Sequence, residues 1–556
     1  MYSRVNSNLL EDRLDAEFYS LEQIKNHKTL QDYGVIPLSA YCNGINVGYT
    51  GELTSVYRAQ GTTLFRVSDI DGIFLSNDDV NYVPDDFAAN NPQIWIRDND
   101  IVFAAVGNTI GKVALKTVSM PDGVCSRALM IARPLTDKID SSFLIAYLAT
   151  KYAQKSLLRG VSGSAQPVLN TPLIANLPVI SAESVSQKYI GDKVRQAEQL
   201  RVWAKRLYRI PAFIDAFIQG ALPLSLTDLL FSLIKKSNND AIKELTKFLA
   251  LNIEDAQMKQ NFQGFIEKNK MGSVDIEREF FHINTVSTSA IEDFLSAQTY
   301  RPAITDAFDK ITSKKFSTLQ SISLEPIRQG ATPKFSAIGK KCIKSKQTRD
   351  LFLDETGYEI VDPNDEQNKR IVRLKRNDIL VTRQGAGTVG RASIFLDDEE
   401  TYITDSLFLV RIDPAKANPA FVAGFLRSYT GQRLIEKGVY GSTGQLNLSS
   451  TALRNIPILD VPLEFQNFLG ETLCTADTLF KLSTRLTQSA KTLVEALIEG
   501  QLTEQQLIQA QQALEDGDNS LDQAILSKLS AEGYAIEGAT PLFSDVDELY
   551  SLLEEA

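Results

Sequence analysis

The chain has 556 residues, of which 43% are hydrophobic and 23% are charged, and its formal net charge is −11 at neutral pH. This length is too great for one hydrophobic core and predicts about two to four domains. No run approaches about 18 uninterrupted apolar residues, which argues against a membrane span. The opening segment MYSRVNSNLLEDRLDAEFY is polar and acidic and lacks a signal-peptide core, so we expect a cytoplasmic protein.

The first part of the chain predicts a strand-rich globule followed by a long helix. Short apolar runs such as TLFRVSDI, DIVFAAV, KVAL and ALMIA are broken by Gly, Asn, Asp and Pro, which is typical of strands and turns. From Ile190 the apolar residues fall at steps of three, four or seven, which predicts a helix with a coiled-coil stripe. Pro211 should interrupt this helix after about 27 residues, or roughly 40 Å.

The second part of the chain repeats this pattern after an intervening segment, 223–280, that has no counterpart. That segment contains IKELTKFLALNIEDAQMKQNFQGFIEKN and predicts further helix. Strand signals then return in DILVT, RASIFL and SLFLVRI, and a second apolar stripe runs from Leu469 to Leu497. The chain therefore alternates between globule and helix twice.

The two halves are copies of one unit, because similar blocks recur in the same order. The matching blocks are 10–19 with 291–300, 141–166 with 418–445, 176–180 with 455–459, 187–200 with 466–479, and 213–222 with 493–502. Both copies also place a glycine turn between two strands, in DIVFAAVGNTIGKVAL and DILVTRQGAGTVGRASI. These glycines serve either tight turns or the close approach of backbone to a ligand.

Neither long helix can bury its apolar stripe alone, whereas two matching stripes can bury each other. We therefore predict an α+β fold in which two pseudo-repeated mixed α/β domains are separated by long antiparallel coiled-coil helices, as a pseudo-twofold dumbbell. The predicted bounds are 1–182 for the first domain, 183–280 for the first spacer helix and the helical insertion, 281–460 for the second domain, 461–515 for the second spacer helix, and 516–556 for an acidic C-terminal tail.

The charges are distributed unevenly along the chain. Residues 504–556 hold twelve acids and one base, and the rest of the chain is neutral. Within that rest, 326–349 carries seven bases and no acid, and 369–391 carries seven bases and one acid. Because local fields decide whether a polyanion binds, these segments favour a nucleic-acid contact around the second glycine turn, with a solvated face as the alternative.

Several kinds of catalysis lack the residues that they need. The four cysteines form no CxxC pair and the chain has two histidines, which excludes a zinc cluster of ordinary spacing and gives histidine-based acid–base chemistry little support. The sequence contains neither a GxxxxGK[ST] loop nor a methyltransferase cofactor loop with an NPPY-type motif. We predict a non-catalytic chain without metal or cofactor, and scattered carboxylates leave a cryptic nuclease open.

The order and duplication of these motifs resemble the specificity subunits of type I restriction–modification systems. The resemblance extends to about residue 515 and is carried by RLDAEFY, LFRVSDIDG, the two glycine-turn segments, and two GxxGSxxQ-like segments that precede NLPVI and NIPIL. It implies that each repeat is a target recognition domain for one half of a split DNA sequence, and that the helices set the distance between the halves. It also implies three partners: double-stranded DNA, two modification (adenine methyltransferase) subunits and motor-nuclease restriction subunits.

Two other functions remain open from the sequence. The chain could recognise DNA for a type IIB-like enzyme or another phage-defence complex, or it could be a duplicated protein-binding scaffold that does not bind nucleic acid. The acidic tail could contact a basic partner subunit, repel stray DNA, or form a solvated cap.

The predicted DNA-binding residues surround the glycine turns and have side chains that can contact base edges or phosphates. In the first copy they are Arg66, Ser68, Asn108, Thr109, Lys112, Arg127, Ser164 and Gln166. In the second copy they are Arg328, Lys334, Lys344, Lys346, Arg383, Gln384, Arg391, Ser442, Gln445 and Asn447.

Overall fold

The structure is a computed structural model that divides into two compact units. The first unit comprises Met1–Val202 with Leu479–Ala556, and the second comprises Trp203–Thr478. The structure describes residues 18–555 except 59, 79, 160, 162–167, 221–237, 254, 269–283, 289–290, 292–295, 355, 367, 369, 386 and 442–445, with backbone alone at 238–243 and 265–268.

The first unit contains the strand-rich part of the first copy. Its described strands are β1 (Val35–Pro37), β2 (Cys42–Val47), β3 (Thr62–Phe65), β4 (Ile70–Asp71), β5 (Phe74–Leu75), β6 (Asn81–Val83), β7 (Trp95–Ile96), β8 (Ile101–Ala104), β9 (Val113–Leu115), β10 (Gly123–Cys125), β11 (Leu129–Pro134) and β12 (Pro178–Ile180). Its helices are α1 (Leu21–Tyr33), α2 (Asp85–Ala89), α3 (Ser141–Leu148), α4 (Lys151–Arg159), α5 (Thr171–Ala175) and most of α6 (Ser184–Leu207).

The described strands of this unit form three sheets, ordered β2-β11-β8-β9-β5-β4, β6-β3-β10-β7 and β1-β12. The glycine turn joins β8 to β9, which pair antiparallel, whereas β3 and β10 pair parallel. Side chains from the two larger sheets, including Phe65, Val102 and Ile131, share one buried core cluster. The burial of these apolar side chains is the main source of the stability of the domain.

The second unit contains the strand-rich part of the second copy. Its described strands are β13 (Phe316–Thr318), β14 (Arg328–Gln329), β15 (Phe335–Ile343), β16 (Glu359–Val361), β17 (Val372–Arg373), β18 (Ile379–Thr382), β19 (Ala392–Ile394), β20 (Thr401–Ile403), β21 (Leu407–Val410), β22 (Val439–Tyr440), β23 (Asn447–Leu448) and β24 (Pro457–Leu459). Its helices are the end of α6, α7 (Ile210–Ile218), α8 (Asn238–Leu249), α9 (Ala256–Lys268), α10 (Pro302–Thr312), α11 (Pro419–Arg427), α12 (Tyr429–Lys437), α13 (Ser450–Arg454) and the first part of α14 (Leu463–Ile498).

The sheets of the second unit repeat those of the first, except that β4 and β5 have no counterpart among its described strands. Their orders are β14-β21-β18-β19, β16-β15-β20-β17 and β13-β24, with an added β22-β23 pair. The parallel pair recurs as β15 with β20, and the glycine turn again joins an antiparallel pair, β18 with β19. The predicted α+β class with two repeated mixed domains is confirmed by this matching topology.

Each glycine turn follows a strand that begins at a buried aspartate paired with an arginine. Asp100 accepts the backbone N–H of Arg97 and two hydrogen bonds from the Arg133 guanidinium, at 3.0 Å from Nε and 3.0 Å from Nη2. In the second unit Asp378 is bound bidentately by Arg411, with both contacts at 2.7 Å. Bidentate geometry compensates two charges that would otherwise be costly to bury, and it fixes the strand that leads into the turn.

The apolar stripes of the two long helices are buried as predicted, including Ile190, Leu200, Leu469 and Leu497. Helix α6 ends at Leu207, and Pro211 lies in the first turn of α7, where its missing N–H costs no helical hydrogen bond. The predicted interruption at this proline is therefore confirmed.

Within the first unit, α6 and the second part of α14 run antiparallel. The Glu183 backbone N–H, just before α6, donates to Glu504 Oε2 at 2.6 Å, whereas Ser483 Oγ donates to the Ala197 carbonyl at 2.7 Å. Residue numbers thus rise along one helix as they fall along the other. Within the second unit, Phe217 of α7 packs on Phe465 at the start of α14, with ring centroids 5.4 Å apart.

Aligned carboxylates at the ends of the two helical repeats cap equivalent helices. In the second unit, Asp215 of α7 accepts the backbone N–H groups of Tyr429 and Thr430 at the start of α12, at 2.5 and 3.0 Å. In the first unit, Glu495 of α14 accepts the N–H of Lys151 at the start of α4, at 2.8 Å. A carboxylate satisfies N–H groups that have no partner inside the helix and interacts favourably with the helix dipole.

Burial raises the pKa of Asp215 to about 6, although its hydrogen bonds from Thr430, Tyr429 and Ser428 act in the opposite direction. The folded state therefore holds this proton more tightly than the unfolded state, so the stability that protonation contributes is present below about pH 4 and is lost as the pH rises to about 6.

We expect Asp215→Asn to remove this decline of stability with pH, whose slope is at most about 1.4 kcal/mol per pH unit. Urea unfolding of both proteins between these pH values measures it. Parallel pH profiles for the wild type and the variant would contradict the expectation, and Asp309→Asn, an exposed position on α10, controls for the loss of one charge.

The C-terminal segment 504–555 forms part of the first unit. It contains α15 (Glu504–Glu515), α16 (Ser520–Leu526) and α17 (Val546–Glu555). Asp522 is fully buried and accepts hydrogen bonds from Tyr189 and from Lys193 Nζ, the latter at 2.7 Å, and from Tyr550. Glu504 also accepts a hydrogen bond from the Tyr33 hydroxyl. Among the described helices, none combines the length and apolar character that a bilayer span requires.

Candidate nucleic-acid interface

The second glycine turn lies beside the segment that follows GSTGQ. Gln384 forms a β-bridge with Asn447, the Gly385 N–H donates to the Leu446 carbonyl at 3.1 Å, and the Leu448 N–H donates to the Arg383 carbonyl at 2.8 Å. Gly385 has a φ of 124°, which favours glycine. The structure therefore brings three predicted residues, Arg383, Gln384 and Asn447, into one surface.

The first unit builds the same arrangement with different side chains. Val106 forms a β-bridge with Val168, and the Leu169 N–H donates to the Ala105 carbonyl at 2.9 Å. The turn that follows presents Asn108 and Lys112 as exposed side chains and Thr109 as a half-buried one. Of the predicted residues near these two turns, Ser164, Gln166, Ser442 and Gln445 lie outside the described residues.

A glutamine from a neighbouring helix anchors each turn. In the first unit, Gln154 Nε2 donates to the carbonyls of Gly111 and Leu148, at 2.9 and 2.8 Å. In the second, Gln432 Nε2 donates to Gly390 and Leu426, at 3.4 and 2.6 Å. These bonds fix the position of the turn against α4 or α12, so its backbone is held in place before any ligand arrives.

Arg383 is already engaged in the second unit. Its Nε donates to the Asp405 carbonyl at 2.8 Å, its Nη2 donates to Gln384 Oε1 at 2.6 Å, and 24% of its side chain is exposed. The Asp405 carboxylate also accepts the Thr332 hydroxyl at 2.6 Å. Asp405 thus joins the basic segment 326–349 to the glycine turn, a link that has no signal in the sequence.

Arg391 lies in a local excess of positive charge. Burial lowers its pKa, and the charges of Arg427 and Arg349 lower it further. Arg427 is buried and donates to the Arg349 carbonyl and to Asp350, at 3.2 and 3.3 Å. The charges of Arg427 and Arg349 thus outweigh that of Asp350 at Arg391, a local excess of positive charge that suits an anion. The basic segments point to Arg349 and Arg391, whereas Arg427 comes from helix α11 and is not predicted.

The remaining basic residues of the segment 326–349 divide into paired and more exposed groups. Lys344 is paired with Glu359 at 3.0 Å and lies over the ring of Phe335, with Nζ 4.6 Å from its centroid. Lys340 and Lys341 approach Glu400 and Glu399, at 3.9 and 2.6 Å. Arg328, Lys334 and Lys346 are exposed, with Arg328 3.6 Å from Glu325. Acids distant in the sequence thus neutralise part of the basic segment.

In the first unit, two predicted residues stabilise a turn of their own domain. Arg66 binds the buried Asp69 through its backbone N–H and its guanidinium, at 2.7 and 3.0 Å, and Ser68 Oγ donates to the same carboxylate at 3.1 Å. Lys344 holds the equivalent turn of the second unit, where its N–H donates to Gln347 at 3.0 Å. Arg127 is exposed in the loop before β11. Arg66 and Ser68 therefore have a structural role whether or not they also contact DNA.

Comparisons with known proteins agree with the sequence motifs. No protein-family model matches the chain. The type I restriction enzyme MjaVIII specificity subunit of Methanocaldococcus jannaschii is 27% identical over 127 residues, or 22% of this chain and 29% of the relative. The chain therefore aligns with less than a third of the length of the curated relative that it matches.

Two solved structures resemble the chain with low TM-scores. The type I restriction–modification S subunit from M. genitalium gives a TM-score of 0.35 at 13% identity, covering 84% of this chain and 96% of that one. The HsdS subunit from Thermoanaerobacter tengcongensis gives 0.25 at 14% identity, covering 84% and 97%. Over the matched segment, the chain is thus similar in sequence to a specificity subunit of a type I restriction enzyme, which confirms the resemblance drawn from its motifs.

Proposed function

We propose that this chain is a non-catalytic, cytoplasmic DNA-binding specificity subunit that recognises an asymmetric, bipartite sequence. The observation that carries the proposal is the repeated topology with unlike turn residues: Asn108, Thr109 and Lys112 in one unit, Arg383, Gln384 and Arg391 in the other. Two domains of similar topology that carry different side chains at their glycine turns present two different patterns of donors and acceptors to base edges.

The partners of this proposed subunit are two adenine methyltransferase subunits, with motor-nuclease restriction subunits joining them. The sequence similarity to a restriction enzyme specificity subunit supports this assignment. We also propose that the long helices act as the spacer between the two recognition domains, in the dumbbell that the sequence predicts. Alternatively, the chain would recognise DNA in the same way within a type IIB-like or other phage-defence complex, where its companion subunits would differ.

Mapping methylated adenines by single-molecule sequencing tests this function directly. Cells with and without the gene are compared, and we expect a split motif to be methylated only when the gene is present. The same methylation pattern in both strains would overturn the proposal. Purification of the tagged full chain from its own cells would identify the companion subunits.

A duplicated protein-binding scaffold is the second candidate, and one observation favours it. The glutamates paired with Lys340, Lys341 and Lys344 reduce the positive field of the basic segment 326–349. Binding of the assembled complex to duplex DNA at increasing salt separates the two candidates, because phosphate contacts release counterions and weaken steeply with salt. The scaffold candidate predicts no salt-sensitive DNA binding.

We expect Arg383→Ala to weaken DNA binding by about 1–3 kcal/mol, if its guanidinium makes a bidentate contact with guanine. A gel-shift series with the methylated motif and its single-base variants measures both affinity and sequence preference. Arg376→Ala is the matched control, because it removes one exposed charge from 369–391, the basic segment that also contains Arg383. Unchanged affinity and preference for Arg383→Ala would exclude Arg383 as a base contact.

A further inference from the structure

The two units share a backbone bulge that the predicted DNA-binding residues do not include. In the second unit, Phe335 and Lys340 both pair with Val361, so residues 336–339 bulge out of strand β15. In the first unit, Arg58 pairs with Tyr82 and Thr62 with Val83, which leaves Gln60 and Gly61 outside the ladder. Such bulges point a side chain away from the sheet in a defined direction.

A glycine fixes each bulge at the equivalent position. Gly61 has a φ of 139° and Gly339 a φ of 146°, a region that favours glycine. A Cβ on Gly61 would lie 2.3 Å from the Val83 carbonyl oxygen, and one on Gly339 would lie 1.9 Å from that of Val361. Because the contact atom is backbone in both cases, no side chain fits without moving a strand.

The residue before each glycine is exposed at the tip of the bulge, and it differs between the units. In the second unit it is Ile338, with 80% of its surface exposed, and in the first unit it is the exposed Gln60. The Ser336 hydroxyl accepts the Ile338 N–H at 3.2 Å and donates to the Ile338 carbonyl, which closes the tip into a tight turn. An aromatic side chain precedes each tip, Tyr57 or Phe335, and each is 37% exposed.

The bulge and the glycine turn of the second unit are connected by one loop. Thr404 N–H donates to the Ile343 carbonyl at the far end of β15, and Arg383 N–H donates to the Ser406 carbonyl at 2.8 Å. From the bulge to Ile343 the strand spans roughly 13 Å, or about four base pairs of duplex. Backbone hydrogen bonds therefore connect the strand that carries the bulge to the glycine turn within one unit.

We propose that Ile338 and Gln60 are specificity-determining residues, with Ile338 packing on the methyl group of a thymine and Gln60 hydrogen-bonding an adenine edge. This inference rests on the proposed DNA-binding function. An exposed isoleucine has no hydrogen-bonding group and can distinguish base pairs only by apolar contact, for which the thymine methyl is the partner in the major groove. A glutamine amide matches the N6 and N7 groups of adenine.

Replacing thymine with deoxyuridine tests Ile338, because this change removes only the methyl group. The assembled complex is bound to its methylated motif with each thymine replaced in turn. We expect one replacement to weaken the wild type about fourfold, the effect of one buried methyl group, and to leave Ile338→Ala unaffected. Equal responses of the two proteins at every thymine would overturn the assignment of Ile338.

The methylated motif in cells tests both positions together. We expect Ile338→Ala to relax one base pair in one half of the motif, and Gln60→Ala to relax one base pair in the other half. Val118→Ala is the matched control, because Val118 is also 80% exposed and lies in a different loop of the first unit. An unchanged motif in both variants would overturn the inference, whereas a wild-type gene that directs no motif at all would overturn the proposed function instead.

If a variant protein abolishes methylation, its sequence preference is measured instead by competition between the wild-type site and single-base variants of that site for binding. Loss of discrimination at one base pair supports the assignment, and equal weakening on every sequence overturns it. Exchanging the residues, as Ile338→Gln and Gln60→Ile, should change the preferred base at those same two positions.

Discussion

Asp522→Ala is expected to destabilise the first unit by about 3–5 kcal/mol. Asp522 is fully buried and is paired at 2.7 Å with Lys193, whose side chain is 1% exposed. Removing the carboxylate leaves the lysine charge buried without its counter-ion, and this costs more than the intact pair contributes. Urea unfolding of the full chain measures this loss of stability, which is read from the first transition of the unfolding curve.

The double variant Lys193→Met/Asp522→Leu distinguishes an unpaired charge from a loss of packing. Because it removes both charges, we expect it to recover most of the stability that Asp522→Ala loses. Glu554→Ala, an exposed acid on α17, is the control for net charge and should have little effect. If Asp522→Ala unfolds at the wild-type urea concentration, the buried pair is not stabilising.

The same variant tests whether the C-terminal helices form part of the first unit. Tyr189 on α6 and Tyr550 on α17 both donate to Asp522, so this carboxylate links the spacer helix to the last helix. We expect the Asp522→Ala protein to be cleaved by protease within 504–555 under conditions in which the wild type resists. This outcome follows from local opening, which requires less free energy than global unfolding.

The repeat pattern in the sequence predicted the features that depend on local periodicity. The stripe residues from Ile190 to Leu200 and from Leu469 to Leu497 recur at helical spacing, and a helix with one apolar face must bury it. The first helix ends at Leu207, because Pro211 has no N–H to donate to the Leu207 carbonyl and so cannot continue it. Both signals lie within a few residues of the structure that they determine, which is why the sequence is sufficient.

Contacts between distant segments could not be predicted in the same way. The parallel pairs β3–β10 and β15–β20 join strands separated by other strands, and short apolar runs do not specify their partners. The composition of 504–556 indicated an acidic tail, yet Asp522 is a buried acceptor for three side chains. A count of charges cannot distinguish a buried carboxylate from a solvated one.

The same distinction between local features and long-range contacts applies to the predicted residues of the candidate interface. The glycine turns and the segment around Asn447 were predicted because turn residues and exposed polar side chains are visible in the sequence. That Arg383 binds the Asp405 carbonyl and Arg66 binds Asp69 was not predicted, because these pairings depend on loop geometry. Ile338 was not among the predicted residues, because an apolar residue between strand signals is ordinarily assigned to the core, whereas here a bulge exposes it.

Asp378→Ala is expected to destabilise the second unit by about 3–5 kcal/mol. Asp378 is 1% exposed and receives both arms of the Arg411 guanidinium, together with the backbone N–H of Lys375 at 2.7 Å. The hydrogen bonds that Arg411 donates to Asp378 raise the pKa of Arg411, so this arginine stays charged. Without Asp378 it would lose the bidentate partner and keep the contact of its Nη1 with Glu325, at 2.8 Å. Urea unfolding of the full chain measures the loss of stability.

Hydrogen exchange shows which strands the Asp378→Ala substitution destabilises. The equivalent aspartate–arginine pair of the first unit provides a matched control. Asp378 precedes β18, so we expect faster exchange in β18, β19 and β21 of the second unit, with the first unit unchanged. Asp100→Ala should produce the opposite pattern, since Asp100 and Arg133 hold the corresponding strand β8. If either variant increases exchange equally in both units, the two domains do not open independently.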